Sequence, residues 1–267
     1  MESRQLKNIA ILILLLLNAF LLLLLAFQYL PSRQSAADSA RQLEELFAAD
    51  QLSLSREVDL SSAPLSPLTL SRHTETEAAI AACLLGEEAE AVSLGGGIYS
   101  YSAASGAIQF RSGGSFDSRD LSLPVSDAAD FARQFCSSFG YEEMSAQLSG
   151  GSGAVTATQQ VAGVPIDGCG VALSFENNVL VSVSGAHISL EDAVLEEGEQ
   201  MTCTTALIRF LDYRRTAGDV CRQVEAAQCI YELQSSPSSQ RLIPVWQVVT
   251  DTYTYFVDCS SGAVSRR

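Results

Sequence analysis

A run of nineteen residues from Ile9 to Phe27 is apolar except for Asn18, and it constrains this chain more than any other feature. A helix rises about 1.5 Å per residue, so this run spans a hydrocarbon core roughly 30 Å thick. A cleaved signal peptide is the alternative. Its apolar region is usually about 7–15 residues long and ends in a small-residue cleavage site. The present run is longer and leads into Gln28 and Tyr29. We therefore predict a membrane helix over residues 8–30.

The charges on either side of this run predict its orientation. Arg4 and Lys7 precede it, whereas Arg33 and Arg41 follow it among acidic residues. Because basic residues are retained on the cytoplasmic side, residues 1–7 are predicted to be a cytoplasmic tail. The chain is then a single-pass protein of the cell membrane, with its C-terminal domain extracytoplasmic.

The predicted exterior part is strongly acidic. Residues 31–267 contain 14 basic and 30 acidic residues, a net charge of −16. Such a surface repels nucleic acid and anionic lipid headgroups, so we expect no nucleic-acid partner and a ligand that is neutral or cationic. Solubility alone also explains a charge of this size.

The cysteines do not form a metal-binding pattern. No two of them have the two-residue separation of a zinc knuckle, and the chain has only two histidines, so we predict no metal site and no cofactor. They are either small buried hydrophobic residues or members of one or two disulfides. The seven positions are Cys83, Cys136, Cys169, Cys203, Cys221, Cys229 and Cys259.

Residues 31–72 are predicted to connect the membrane to the domain. Apolar residues in 36–49 recur at helical spacing, which predicts a juxtamembrane helical stalk. Residues 51–71 contain Pro64 and Pro67, which exclude a regular helix, so this stretch is predicted to be a linker or an extended strand.

Residues 73–123 are predicted to be a helix followed by a hairpin. The helix covers residues 74–85, with Thr74 as its cap and Glu77 at capping-box spacing. The hairpin covers residues 98–113. Residues 95–97 are three glycines, but the alternating strand that follows them is not the helix that a phosphate-binding loop requires.

Residues 124–190 and 191–267 each repeat one plan, a helix followed by an antiparallel meander. In the first unit Ser126 is the predicted cap, Gly140 ends the helix, and Asn177-Asn178 makes a two-residue hairpin. In the second, a helix over residues 202–213 precedes strands over residues 220–233, 243–250 and 253–257. The predicted fold class is α+β, an N-terminal transmembrane helix followed by tandem helix-plus-meander units.

Two blocks of strand residues carry a resemblance to a known superfamily. The first block resembles the end of a PepSY-type unit, and it consists of residues 243–248 (IPVWQV), 253–258 (YTYFVD) and 261–264 (SGAV). Residues 159–166 (QQVAGVPI), 171–175 and 178–183 resemble the matching meander. Together with the basic start and the sequence LNAFL at residues 17–21, the whole architecture is similar to the YycI and YycH regulatory proteins of Gram-positive bacteria.

The resemblance implies a function. In that family the membrane helix and the exterior domain contact a sensor histidine kinase of a two-component system that controls cell-envelope functions, and they restrain its signalling. A related regulator is implied as a possible hetero-oligomer partner. This chain departs from the family in its seven cysteines and in its acidic, alanine- and serine-rich exterior.

The partner-binding residues that we predict lie in the membrane helix and on strands. An amide in the middle of a membrane usually finds a partner on another helix, which favours Asn18 as a contact. The strand aromatics are candidates for a docking surface, with ordinary strand packing as the alternative. The predicted residues are Asn18, Phe20, Tyr99, Tyr101, Trp246, Tyr253 and Tyr255.

An enzyme is not predicted. His73 and His187 are the only possible histidine bases, and no serine lies in a nucleophile elbow. Paired carboxylates such as Glu87-Glu88 fall in predicted turns, where solvation explains them. The alternative functions are a PepSY-like inhibitor or chaperone of a secreted or spore-associated peptidase, and an envelope hydrolase.

Overall fold

The fold is taken from a computed structural model in which residues 14–18, 20–21, 40–197, 200–236 and 239–267 are described. Residues 14–18 and 20–21 of the predicted membrane helix are helical. The rest of that prediction, and the predicted cytoplasmic tail, lie outside the described residues. Across the described ranges, no helix is both long enough and apolar enough to cross a membrane.

Helices and strands alternate in blocks along the described chain. The helices are α1 (40–49), α2 (Thr74–Leu85), α3 (Ala128–Ser138) and α4 (Cys203–Ala217). The strands are β1 (Ser53–Leu54), β2 (Leu68–Leu70), β3 (Glu90–Gly95), β4 (Ile98–Ala103), β5 (Gly106–Phe110), β6 (Ser115–Arg119), β7 (Leu123–Pro124), β8 (Tyr141–Ser149), β9 (Ser152–Val161), β10 (Val164–Glu176), β11 (Val179–Ala186), β12 (Val194–Leu195), β13 (Gln223–Ser236), β14 (Ser239–Thr250), β15 (Thr254–Asp258) and β16 (Val264–Arg266). The protein is thus an α+β structure dominated by one large sheet.

The helix-plus-meander plan occurs three times rather than twice. The first unit is α2 with β3–β6, the second is α3 with β8–β11, and the third is α4 with β13–β16. In each unit consecutive strands pair antiparallel. The prediction of only a helix and a hairpin for residues 73–123 was therefore incomplete, because β3 and β6 extend the hairpin to a four-stranded meander.

The first two units join edge to edge through their last strands. β6 and β11 pair antiparallel, with Asp117 opposite Ser184 and Ser115 opposite Ala186. The eight strands follow the order β3-β4-β5-β6-β11-β10-β9-β8. This order is symmetric about the β6–β11 pair, so the two units are related like the halves of a two-fold dimer.

The third unit joins the others through β10. β10 pairs with β9 at Val164 and Pro165, bulges away from it over residues 166–169, and there pairs parallel with β13, with Ile166 opposite Tyr231 and Asp167 opposite Glu232. The change of partner occurs around Gly168, whose φ of 78° is a conformation that favours glycine. β10 is therefore shared by two sheet regions.

Each sheet region has its own core under its helices. α2 and α3 pack on one face of the eight-stranded region, where Ile80, Leu84 and Phe135 meet Phe116 and Leu173. The third unit has a separate core under α4, built around Trp246 and Tyr255, both fully buried. A third cluster, including Leu68, Ile166, Tyr231 and Leu242, fills the space where the two regions meet.

Helix α1 belongs to the core of the third unit. Leu43 and Phe47 are buried, and the Phe47 ring lies 6.5 Å from the ring of Phe210 on α4. At the end of the helix, Arg215 Nε donates to Asp50 Oδ2 at 2.6 Å. The helix predicted within residues 36–49 is therefore confirmed for residues 40–49, where it packs against the third unit.

The predicted linker over residues 51–71 contains the short strands β1 and β2. β1 pairs parallel with β13, and β2 pairs antiparallel with β14. The extended alternative is thus the one that the structure supports, and this segment is part of the sheet.

Two predicted helix caps were wrong by one residue, while the predicted Asn177-Asn178 turn was correct. The N-cap of α2 is His73, and Glu77 instead accepts from Arg72 Nε at 2.7 Å. The N-cap of α3 is Asp127, whose Oδ1 accepts from the backbone N–H of Asp130 at 2.9 Å. The predicted Asn177-Asn178 hairpin is confirmed, with φ of 51° and 59°.

Candidate binding cleft at the sheet junction

The face of the eight-stranded region opposite α2 and α3 carries small and polar side chains. Strand pairing places one residue from each strand in a single row across this face, and every member is exposed or half-buried. In spatial order the row is Val92, Ser100, Gln109, Asp117, Ser184, Ala172, Thr156 and Ser145. We call this the uncovered face.

A cleft lies where the uncovered face meets the third unit. Its volume is about 510 Å³. One wall contains Thr158, Ala172 and Ser184 of the uncovered face, and the other contains Ile230 and Gln247 of the third unit. The floor is the bent part of β10, from Pro165 to Cys169. We call this the junction cleft.

Gly170 keeps one wall of the junction cleft free of a side chain, because it lies opposite Thr158 on the uncovered face. A Cβ at Gly170 would lie 2.6 Å from the carbonyl oxygen of Ala157. Only glycine is accommodated at this close approach of neighbouring strands. The wall therefore presents backbone to whatever enters the cleft.

The wall also holds an unsatisfied hydroxyl group. Thr158 Oγ1 is buried and has no hydrogen-bond partner among the described residues. A buried polar group without a partner costs about 1–3 kcal/mol. The oxygen has almost no accessible surface, so this hydroxyl group is a local cost of the fold.

The charges at the floor of the junction cleft are partly compensated. Asp167 and Glu232 are opposite one another on β10 and β13, and the Arg267 guanidinium contacts both carboxylates. The same guanidinium lies over the Phe256 ring at 4.6 Å from its centroid. Two carboxylates and one guanidinium leave a small negative charge, which favours neutral or cationic ligands over anions.

Three of the predicted docking aromatics are core residues. Trp246 is fully buried, and its Nε1 donates to the carbonyl oxygen of Met201 at 2.8 Å. Tyr255 is also fully buried, its hydroxyl donates to Asp219 Oδ2 at 3.0 Å, and burial raises its pKa. Tyr101 is buried edge-on against Phe110. The prediction that these three form a docking surface is therefore wrong, because strand packing uses them.

The other predicted residues are accessible but do not lie together. The Tyr253 ring is exposed under the guanidinium of Arg266, at 4.6 Å. Tyr99 is half-buried under the guanidinium of Arg72, at 5.1 Å. Asn18 Nδ2 donates to the carbonyl oxygen of Leu14 at 3.0 Å, and Phe20 is exposed. None of them lines the junction cleft.

The two histidines are placed in separate, structural surroundings. His73 Nε2 lies 3.3 Å from Asp192 Oδ2. The His187 ring packs edge-on against Tyr141, its Nε2 lies 3.1 Å from the carbonyl oxygen of Phe139, and burial lowers its pKa. Among the described residues, no group of three or more His, Cys, Asp or Glu side chains is arranged to hold a metal ion.

All seven cysteines are free, and five are buried. The interpretation of the cysteines as small buried hydrophobic residues is confirmed for these five. Burial raises the pKa of Cys169 to about 12, because the thiolate would be desolvated. The thiols of Cys229 and Cys259 hydrogen-bond to each other, and this contact lowers the pKa of the Cys229 thiol.

The sequence analysis missed the residues of the junction cleft. Their signal was the presence of Gly168 and Gly170 inside a strand pattern, which is typical of a bulge or a close backbone approach. That signal does not reveal that β10 changes partners there, since the second partner, β13, lies more than fifty residues away in the sequence.

Comparisons with known proteins add one distant structural likeness. No family model and no curated protein matches the chain. A solved structure of an uncharacterised protein from Eubacterium rectale is similar to it with a TM-score of 0.44 and 11% sequence identity, covering 80% of this chain and 85% of that chain.

Proposed function

We propose that this chain is a membrane-anchored, extracytoplasmic regulatory protein that binds and restrains a sensor histidine kinase controlling cell-envelope functions. It performs no chemistry of its own. The observation that supports the proposal most is the junction cleft, which opens from a broad uncovered sheet face. The kinase is the partner class implied by the PepSY- and YycI-like residues, and a related regulator is a possible further subunit.

The chemistry of the junction cleft suits an extended peptide segment. Gly170 leaves one wall without a side chain, so the backbone of an extended segment can lie close to the sheet there. The small negative charge at Asp167 and Glu232 favours a neutral or basic segment.

Restraint of a kinase requires a mechanical link between the cleft and the membrane. Helix α1 provides the part of this link that lies on the domain, because Phe47 and Asp50 contact α4 and so hold residues 40–49 against it. A partner that binds the cleft and a membrane helix at the same time is held in one arrangement relative to the bilayer. Its signalling equilibrium shifts by the difference in binding free energy between its two states.

In-cell photocrosslinking tests this proposal. A photoreactive residue is placed at Asn18, at Thr156 beside the cleft, and, as the matched control, at the exposed Thr216 on α4. We expect the first two positions to capture the same sensor kinase and the control to capture none. Capture of the kinase equally well from Thr216, or from neither Asn18 nor Thr156, would contradict the proposal.

The second candidate is a PepSY-like inhibitor or chaperone of a secreted or spore-associated peptidase. The breadth of the uncovered face favours it, because eight strands provide area for a folded partner as well as a peptide. The same experiment separates the two candidates. A peptidase captured from Thr156, with no kinase captured from Asn18, would establish the second.

A further inference from the structure

The segment that forms β4, β5 and all of β3 except Glu90 is free of charge. Residues 91–110 are twenty consecutive residues without an Asp, Glu, Lys or Arg, in a chain in which 18% of residues are charged. The surrounding surface is acidic, since residues 31–267 have a net charge of −16. This segment is therefore a place where another acidic surface meets little repulsion.

Strand β3 is also a free edge of the sheet. It pairs with β4 on one side, and no described strand pairs with it on the other. All six of its residues are exposed, including Val92 at 50% and Leu94 at 57%. An exposed edge with apolar side chains is a template for pairing with another strand.

The opposite edge of the same sheet is protected. β8 carries Glu142 and Glu143, has a β-bulge between Glu142 and Ser145, and holds Glu143 at a φ of 47°. Adjacent charges and bulges are the devices by which natural edges avoid pairing. β3 has a bulge only at its far end, where Leu94 lies between Ser93 and Gly95.

We propose that β3 is a homodimerisation strand, which pairs antiparallel with β3 of a second copy about Val92. This register places Glu90 of one copy opposite Leu94 of the other, so the two Glu90 carboxylates stay apart. Like charges directly opposite one another destabilise a strand pair, and this register avoids them. The two eight-stranded regions then become one continuous sheet.

The distribution of charge along the strand favours a second copy as the occupant. In the antiparallel register, the acidic start of the strand, with Glu87 and Glu88 before it, faces the glycine turn of the other copy. Behind that turn the guanidinium of Arg72 contacts the carbonyl oxygen of Gly97 and is paired with Glu77. The acidic end of one copy thus meets an uncharged turn rather than the acidic end of its equivalent.

The molecule already joins two such units in a related way. The β6–β11 pair is an antiparallel contact between the edges of two helix-plus-meander units, and it is symmetric in strand order. A β3–β3 pair repeats this contact at the other end of the first unit.

Crosslinking of the purified full-length chain in detergent tests the proposal without any kinase. Cys83, the exposed native thiol, is replaced by Ser, and Val92→Cys is then treated with a short bismaleimide. The matched control is Met144→Cys on β8, a residue that is 40% exposed on the opposite edge. We expect covalent dimers from position 92 and few from position 144. No dimer from position 92, or equal yields from both positions, would overturn the proposal.

A charge swap at the same position gives an independent test. Val92→Glu places two carboxylates across the two-fold axis, so we expect the dimer to dissociate at least tenfold more readily in sedimentation experiments. Val92→Arg alone should weaken it as well, and mixing the two variants should restore a heterodimer. Met144→Glu should leave the dimer unchanged. A Val92→Glu chain that dimerises like the unmodified protein would refute the β3 contact.

Discussion

The eight-stranded region and the third unit cover their sheets in different ways. In the eight-stranded region, α2 and α3 lie side by side in one core, because their units are joined edge to edge through β6 and β11. The third unit has no such neighbour on its helix side, and α1 packs beside α4 instead. A single helix thus leaves part of a four-stranded meander exposed, and either a second unit or an added helix is needed to bury the remaining apolar area.

The largest expected effects come from removing the central aromatic of each core. Trp246→Ala in the third unit and Phe135→Ala in the eight-stranded region should each lower the free energy of unfolding by about 3–5 kcal/mol, because each leaves a large cavity. Both residues are almost completely buried. Urea titrations followed by circular dichroism measure the change.

The pair of variants also shows whether the two regions unfold together. The cluster around Leu68, Ile166 and Tyr231 joins them, so we expect one shared transition in both variants. Two separate transitions, with only one of them shifted in each variant, would show that the regions are independent domains.

A smaller effect is expected from Phe47→Ala, which tests whether α1 is part of the core of the third unit. Loss of its contact with Phe210 should lower the free energy of unfolding by about 3 kcal/mol, in thermal or urea unfolding of the full chain. The control is Leu46→Ala, whose side chain is 43% exposed, and which should change stability little. Equal, small effects of both variants would mean that α1 is not part of the third unit.

The smallest effect is a pH dependence that comes from His187 in the eight-stranded region. Burial lowers the pKa of His187 below its ordinary value of about 6.5, so the unfolded chain binds a proton more readily than the folded one. Stability should therefore fall as the pH drops below about 6.5. The slope should be smaller in His187→Asn, measured as melting temperature between about pH 7.5 and 5.5. An identical slope in both proteins would show that other groups cause it.

The local pattern of the sequence predicted the helices and several strands well. α2 matches the prediction for residues 74–85, and the Asn177-Asn178 turn follows directly from residues that tolerate positive φ. β8 was missed, because Glu142 and Glu143 are not typical strand residues and the strand exists only through its pairing with β9. The cap of α3 was missed by one residue, since Ser126 and Asp127 have similar cap preferences.

By itself the sequence determined most of the local elements of this protein: an apolar N-terminal run, helices with 3.6-residue periodicity, and strands separated by glycine and asparagine turns. These features depend on neighbouring residues and so can be read along the chain. Only the tertiary structure decided how the units are combined. The pairing of β6 with β11, the shared strand β10, the junction cleft and the burial of Trp246 and Tyr255 all depend on contacts between residues distant in sequence. A strand's own residues specify which of its faces is apolar, but they do not specify which other strand or helix will cover that face.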